Sequence, residues 1–118
     1  MKHQNGNHRM NMQIAFRHAY LRNQVINLIT YGYLSTTKGR AKQIQRYAEK
    51  VVTVARTGSD FNTIRRVNQL LPYSVDACKK LIGEIAPRYT QRPGGYTRVI
   101  PLGRRPSDTA PIARIEWV

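Results

Sequence analysis

A chain of 118 residues fits one domain with a single hydrophobic core and is too short for two. Hydrophobic residues make up 41% of it, more than a wholly disordered basic tail carries, so a folded body is expected. Lys plus Arg number 20 against 6 Asp plus Glu; the resulting net charge of +14 repels itself in a compact monomer and points to a polyanionic partner.

Arg outnumbers Lys by 14 to 6. The planar guanidinium fork grips phosphate bidentately and stacks on bases, so the bias favours nucleic-acid docking over loose attraction. Cys78 is the single cysteine, which excludes an internal disulfide and makes a cytoplasmic setting the default. No apolar run approaches the roughly 18 residues that a membrane helix needs. Residues 1–13 contain no apolar block of the kind found in signal peptides.

Residues 1–11 are polar, basic and aperiodic, and read as an extended arm that orders on a partner. Residues 12–118 form the expected single domain. From Met12 to about Tyr31 a helical period places Ile14, Leu21, Val25, Leu28 and Ile29 on one face. Phe16, Arg17, Tyr20, Asn23, Gln24 and Asn27 are read on the other, a face suited to RNA or to plain solvent. Arg22 falls within the apolar stripe and needs a partner or a route to water.

Gly32 should end this helix, and Tyr33–Thr37 reads as a short strand. Thr36 or Thr37 is positioned to cap a helix over about 38–57. Its core stripe is Ala41, Ile44, Ala48, Val51, Val52 and Ala55. Lys38, Lys42, Arg46 and Lys50 climb the opposite side at four-residue spacing, with Glu49 the only acid on the helix. Such a row repels itself by a few tenths of a kcal/mol per pair unless a polyanion lies alongside. A helix over about 60–70 should turn Phe61, Ile64 and Val67 inward and Arg65 and Arg66 outward. Ser74 should cap a further helix over about 75–86, with Val75, Cys78, Leu81, Ile82 and Ile85 inward and Pro87 as its stop.

The remaining chain reads as a loop at 88–95, a strand at 96–102, a second loop and a terminal strand at 112–118. Pro101 has no amide proton and belongs near an edge or an end. The two strands are most simply antiparallel, with Tyr33–Thr37 as third partner. The expected fold is therefore α+β, about four helices on one face of a small three-stranded sheet, with the basic arm extending from it. Tyr89 and Tyr96 flank Arg92 and Arg98, where rings beside arginines suit stacking on unpaired bases; ordinary strand aromatics are the alternative.

Catalytic chemistry finds no support. His3, His8 and His18 pair with no cysteine at ligand spacing, the six acids form no paired carboxylate site, and the glycines precede no Gly-Lys-Ser/Thr. A DNA-binding nucleoid protein shares the charge but calls for a recognition helix or a dimer surface, and a nuclease calls for an acid, histidine or metal cluster. No pattern for either is evident.

The last third is the most specific part. Arg92-Pro93-Gly94-Gly95-Tyr96-Thr97-Arg98-Val99, then Gly103 and Arg105, then Asp108 through Glu116 closely resemble the ending of the bacterial large-subunit ribosomal protein L-seventeen family. Met1-Lys2-His3, Phe16 through Asn23 and Ser35 through Lys42 are similar to that family's opening, first-helix motif and strand-to-helix junction. Two departures stand out: residues 4–13 carry fewer cations than the family's arm, and Phe16 stands where the family has a histidine.

The resemblance implies an α+β, non-enzymatic constituent of the large ribosomal subunit. It would bind and stabilise ribosomal RNA near the outlet of the nascent-peptide tunnel and touch neighbouring ribosomal proteins. No membrane, small-molecule substrate, metal or cofactor is implied. The expected RNA-binding set has three parts. Lys2, His3, Arg9 and Arg17 lie in the arm and first helix, and Lys38, Arg40, Lys42, Arg46 and Lys50 on the second. Arg88, Arg92, Arg98, Arg104 and Arg105 lie in or beside the two loops.

Overall fold

A computed structural model describes residues 12–58 and 60–118. The expectations for Lys2, His3, Arg9 and the rest of the arm lie outside these residues. In chain order come helix α1 (Ile14–Tyr31), strand β1 (Tyr33–Thr37), helices α2 (Lys38–Ala55), α3 (Phe61–Leu70) and α4 (Val75–Lys80), and strands β2 (Thr97–Arg104) and β3 (Pro111–Trp117). The fold is the expected α+β arrangement of four helices and one antiparallel sheet, in the order β1-β3-β2.

The longest amphipathic period became the centre of the molecule. All six residues of the α2 stripe, Ala41, Ile44, Ala48, Val51, Val52 and Ala55, are buried. They pack on Ala113 and Ile115 of β3 and on Val25, Leu28 and Ile29 of α1 in one continuous core. Glu49 fastens α2 to β2, its carboxylate accepting from the Thr97 hydroxyl at 3.1 Å and the Thr97 amide at 3.4 Å. The Gln45 amide donates to the Thr97 carbonyl at 3.3 Å.

Gly32 ends α1 as expected, in the left-handed region at φ 85°, with its amide bonded to the Leu28 carbonyl at 2.9 Å. The Trp117 indole donates to that same carbonyl at 3.1 Å, which closes β3 onto α1. Register pairs Leu34 with Ile115 and Thr36 with Ala113, so these side chains share the helix-facing side. Tyr33, Ser35, Arg98, Arg114 and Glu116 fall on the other side. There the Arg114 guanidinium lies 4.2 Å from the Tyr33 ring centre and 3.5 Å from the Glu116 carboxylate. Pro101 sits on an edge strand, and the register slips between Pro101 and Gly103, leaving Leu102 as the bulged residue.

Several expectations need correction. Phe61 and Ile64 do not point inward; they are 75% and 40% exposed, and Thr63 and Val67 fill the buried side of α3 instead. Thr63 is tolerated there because its hydroxyl bonds to the Asp60 carboxylate and to the Thr57 hydroxyl. Val75 is 64% exposed, beside Ile64 and Asn68 of α3. The helix starting at Ser74 is not one α-helix to Pro87. It widens into a π-turn over Leu81–Ile85 and tightens into a 3-10 turn over Ala86–Tyr89. Pro87 opens that last turn, where no amide donor is required of it, and so does not stop the helix. Arg88 and Tyr89 are therefore helical, and β2 runs on through Gly103 and Arg104.

Ser74 does cap α4, accepting from the Ala77 amide at 3.1 Å, whereas Thr37 precedes α2 without a side-chain cap. Cys78 is buried, its thiol directed to the Leu71 carbonyl at 3.3 Å, and burial raises its pKa.

Candidate nucleic-acid interface

Helix α1 spans about 27 Å at 1.5 Å per residue, yet only Val25, Leu28 and Ile29 in its second half are buried. The first half carries no buried residue, and Ile14 is exposed although its phase matches the stripe. Arg17, His18 and Leu21 face α2 across a groove, so Arg17 is not on the outermost face as the period suggested. Tyr20 also faces α2, where the Arg40 guanidinium stacks over its ring at 5.3 Å.

The cation row on α2 is exposed along its length. Four-residue steps advance 400° around a helix, so the row rotates by about 120° from Lys38 to Lys50. Lys38 and Lys42 stay on the outer surface. Arg46 and Lys50 wind into a groove of about 290 Å³ between α1 and α2. Arg17 and His18 line its far wall, with Leu21 and Tyr47 as its apolar parts and Gln43 beside them. Among the described residues no acidic side chain lines it. The Arg17 Nη1 nitrogen is buried without a hydrogen-bond partner among the described residues, and Glu49 is turned away to Thr97.

The other expected cations form two separate groups. Near the 3-10 turn, Arg88 is exposed, while Arg92 folds back with its Nε on the Gly94 carbonyl at 3.2 Å. Arg56 donates to the Arg92 carbonyl, fixing this loop to the end of α2. Tyr89 and Tyr96 are not available to bases. Both are buried, with ring centres 5.2 Å apart, and the Tyr89 hydroxyl donates to the Val118 carbonyl at 2.8 Å. Neither is an ordinary strand aromatic either, since Tyr89 ends the 3-10 turn and Tyr96 precedes β2. Arg98 is exposed on the outer face of the sheet.

At the hairpin tip Arg104 donates to the Thr109 carbonyl at 2.9 Å. Arg105 grips Asp108 bidentately at 2.7 and 3.0 Å. That grip and the Ala110 amide hold the Asp108 carboxyl down at about 2. Arg105 therefore offers less free charge than its position in a basic loop suggested.

Sequence reasoning missed His18, Gln43, Tyr47 and the stacked cations on Tyr20 and Tyr33. Gln43, Arg46, Tyr47 and Lys50 do recur at i, i+3, i+4 and i+7, a signal available in principle. Arg22 found its route out at Tyr73, whose hydroxyl is 3.5 Å away and whose ring centre is 5.9 Å away. Hydrogen bonds to Tyr73 and then Tyr47 raise its pKa further.

Fold and surface together define a small cationic α+β scaffold, with no cluster of His, Cys, Asp or Glu able to hold a metal among the described residues. A family profile described as Ribosomal protein L17 matches residues 20–118. A relative named Large ribosomal subunit protein bL17 from Aliarcobacter butzleri is 42% identical over the full length of both chains. A protein of the same name from Desulforudis audaxviator is 42% identical across 96% of this chain and 99% of its own. The one from Bdellovibrio bacteriovorus is 42% identical over 86% of this chain, which spans only 55% of that longer relative. The chain belongs to the ribosomal protein L17 family, whose members are structural and not enzymes.

Proposed function

We propose that the protein is a structural constituent of the large ribosomal subunit, in the cytoplasm, that binds and stabilises large-subunit ribosomal RNA near the exit of the nascent-peptide tunnel. The observation that carries this reading is the exposed cation row of α2, whose only neighbouring acid on the helix is spent on Thr97. A row of like charges along one helix repels itself, and a phosphate backbone alongside relieves that cost. The name of the relatives supports the subunit, and the resemblance of the C-terminal third supports the tunnel-exit location.

The cations divide into positioning groups in this reading. Arg17, Lys38, Arg40, Lys42, Arg46 and Lys50 form the helical surface, while Arg88, Arg92 and Arg98 form the loop group and Arg104 and Arg105 the hairpin tip. Lys2, His3 and Arg9 add contacts from the arm. The loop and hairpin-tip groups, on turns held by Gly and Pro, carry more of the affinity than the arm, since cations preorganised in this way lose little entropy on binding. Neighbouring ribosomal proteins of the subunit are its further partners.

The test is chemical footprinting of large-subunit ribosomal RNA with the intact protein and with residues 1–10 deleted. Most protections should survive the deletion and cluster near the tunnel exit. Protections that vanish with the arm, or lie elsewhere in the RNA, would overturn the ranking or the location.

A further inference from the structure

The groove between α1 and α2 goes beyond a general cationic surface, and we infer that it is a seat for a single strand of RNA backbone. This rests on the ribosomal RNA reading above. Arg17 from one wall and Arg46 and Lys50 from the other converge on the same space of about 290 Å³. Arg17 is half-buried on this wall and its Nη1 has no hydrogen-bond partner among the described residues, so a turn of the side chain toward a phosphate in the groove satisfies a donor that the protein leaves unmet.

The volume selects the ligand. A space of about 290 Å³ is at the small end of ligand sites, so it takes in one strand but not a duplex. Leu21 and Tyr47 give it an apolar surface for a ribose or base edge, while Gln43 and His18 offer groups able to bond a ribose hydroxyl. The arrangement places phosphate at the cations and the sugar over the apolar floor. Lys38 and Lys42, outside the groove, remain free to follow a backbone of either form.

The experiment compares two double variants of the full chain that remove the same charge. Arg17→Gln with Lys50→Gln empties the groove of two cations; Arg65→Gln with Arg66→Gln removes two exposed cations from α3. Polyuridylate and protein-free large-subunit ribosomal RNA serve as probes across a salt series. The groove variant should lose about tenfold or more in affinity for both, and its salt slope for polyuridylate should fall by about 1.4, while the α3 variant changes little.

Equal losses in the two variants would overturn the groove and leave the ribosomal reading standing. Failure of the unaltered protein to bind either RNA would overturn that reading as well. A second measurement needs no variant: bound polyuridylate should shield Lys50 of the unaltered protein from amine acylation while Lys79 stays reactive. Equal acylation of Lys50 with and without RNA contradicts the proposal.

Discussion

Helix α2 is both the central beam of the core and the carrier of the cation row, so substitutions on its two faces should separate completely. Ile44 is fully buried at the centre of the stripe. Ile44→Ala removes three carbons from a packed site and should cost about 2–5 kcal/mol. For a chain of 118 residues, unfolding entropy near 2.1 cal/mol/K per residue converts each kcal/mol into about 4 °C, so melting should fall by roughly 8–20 °C. Its salt slope for RNA should not change, because no charge has been touched.

On the other face, Lys38→Gln with Lys42→Gln removes two exposed charges and lowers the net charge from +14 to +12. Stability should stay within about 0.5 kcal/mol, as is usual for surface positions. The log–log salt slope of ribosomal RNA binding should shrink by roughly 1.4–1.8 if both side chains meet phosphate. Calorimetry measures the first effect, and filter binding over a salt series the second. An unchanged slope in the lysine variant would reduce this part of the row to a solvated face. Melting loss below about 0.5 kcal/mol in Ile44→Ala would refute α2 as the beam.

Two further predictions concern features away from α2. The Asp108 carboxyl, held at about 2 by Arg105 and the Ala110 amide, has its folded value below the ordinary 3.8. Its order in the hairpin tip should therefore be complete above about pH 4 and lost as pH falls through about 2; an NMR titration midpoint near 3.8 would refute the pairing. Ser74→Ala removes the cap on the Ala77 amide and should cost about 1 kcal/mol by chemical denaturation, whereas a change below about 0.2 would show that the cap is solvent-replaced.

Long patterns with one answer were legible in the sequence. The α2 stripe spans about four turns, and every member is buried where expected because no other face of that helix is apolar. β1 was legible through Gly32 on one side and the start of a helical period on the other. Short elements were not. α3 and α4 each carry apolar residues on more than one flank, and which flank is buried depends on where the helix crosses its neighbour. Phe61, Ile64 and Val75 were misassigned for that reason.

The site divides in the same way. That the cations lie outward follows from one helical period. That Arg46 and Lys50 leave their own row to join Arg17 depends on how α1 packs beside α2, a tertiary fact absent from either helix alone. Tyr89 and Tyr96 show the converse, since rings beside arginines in sequence proved to pack against each other at a tilt inside the body.

The most direct test of the central claim is sedimentation of the tagged protein from a cell lysate through a sucrose gradient at high salt. The ribosomal account predicts co-migration with large subunits that persists in high salt and is absent from the small-subunit peak. A free pool at the top of the gradient, or a pool released by DNase and not by RNase, would contradict it.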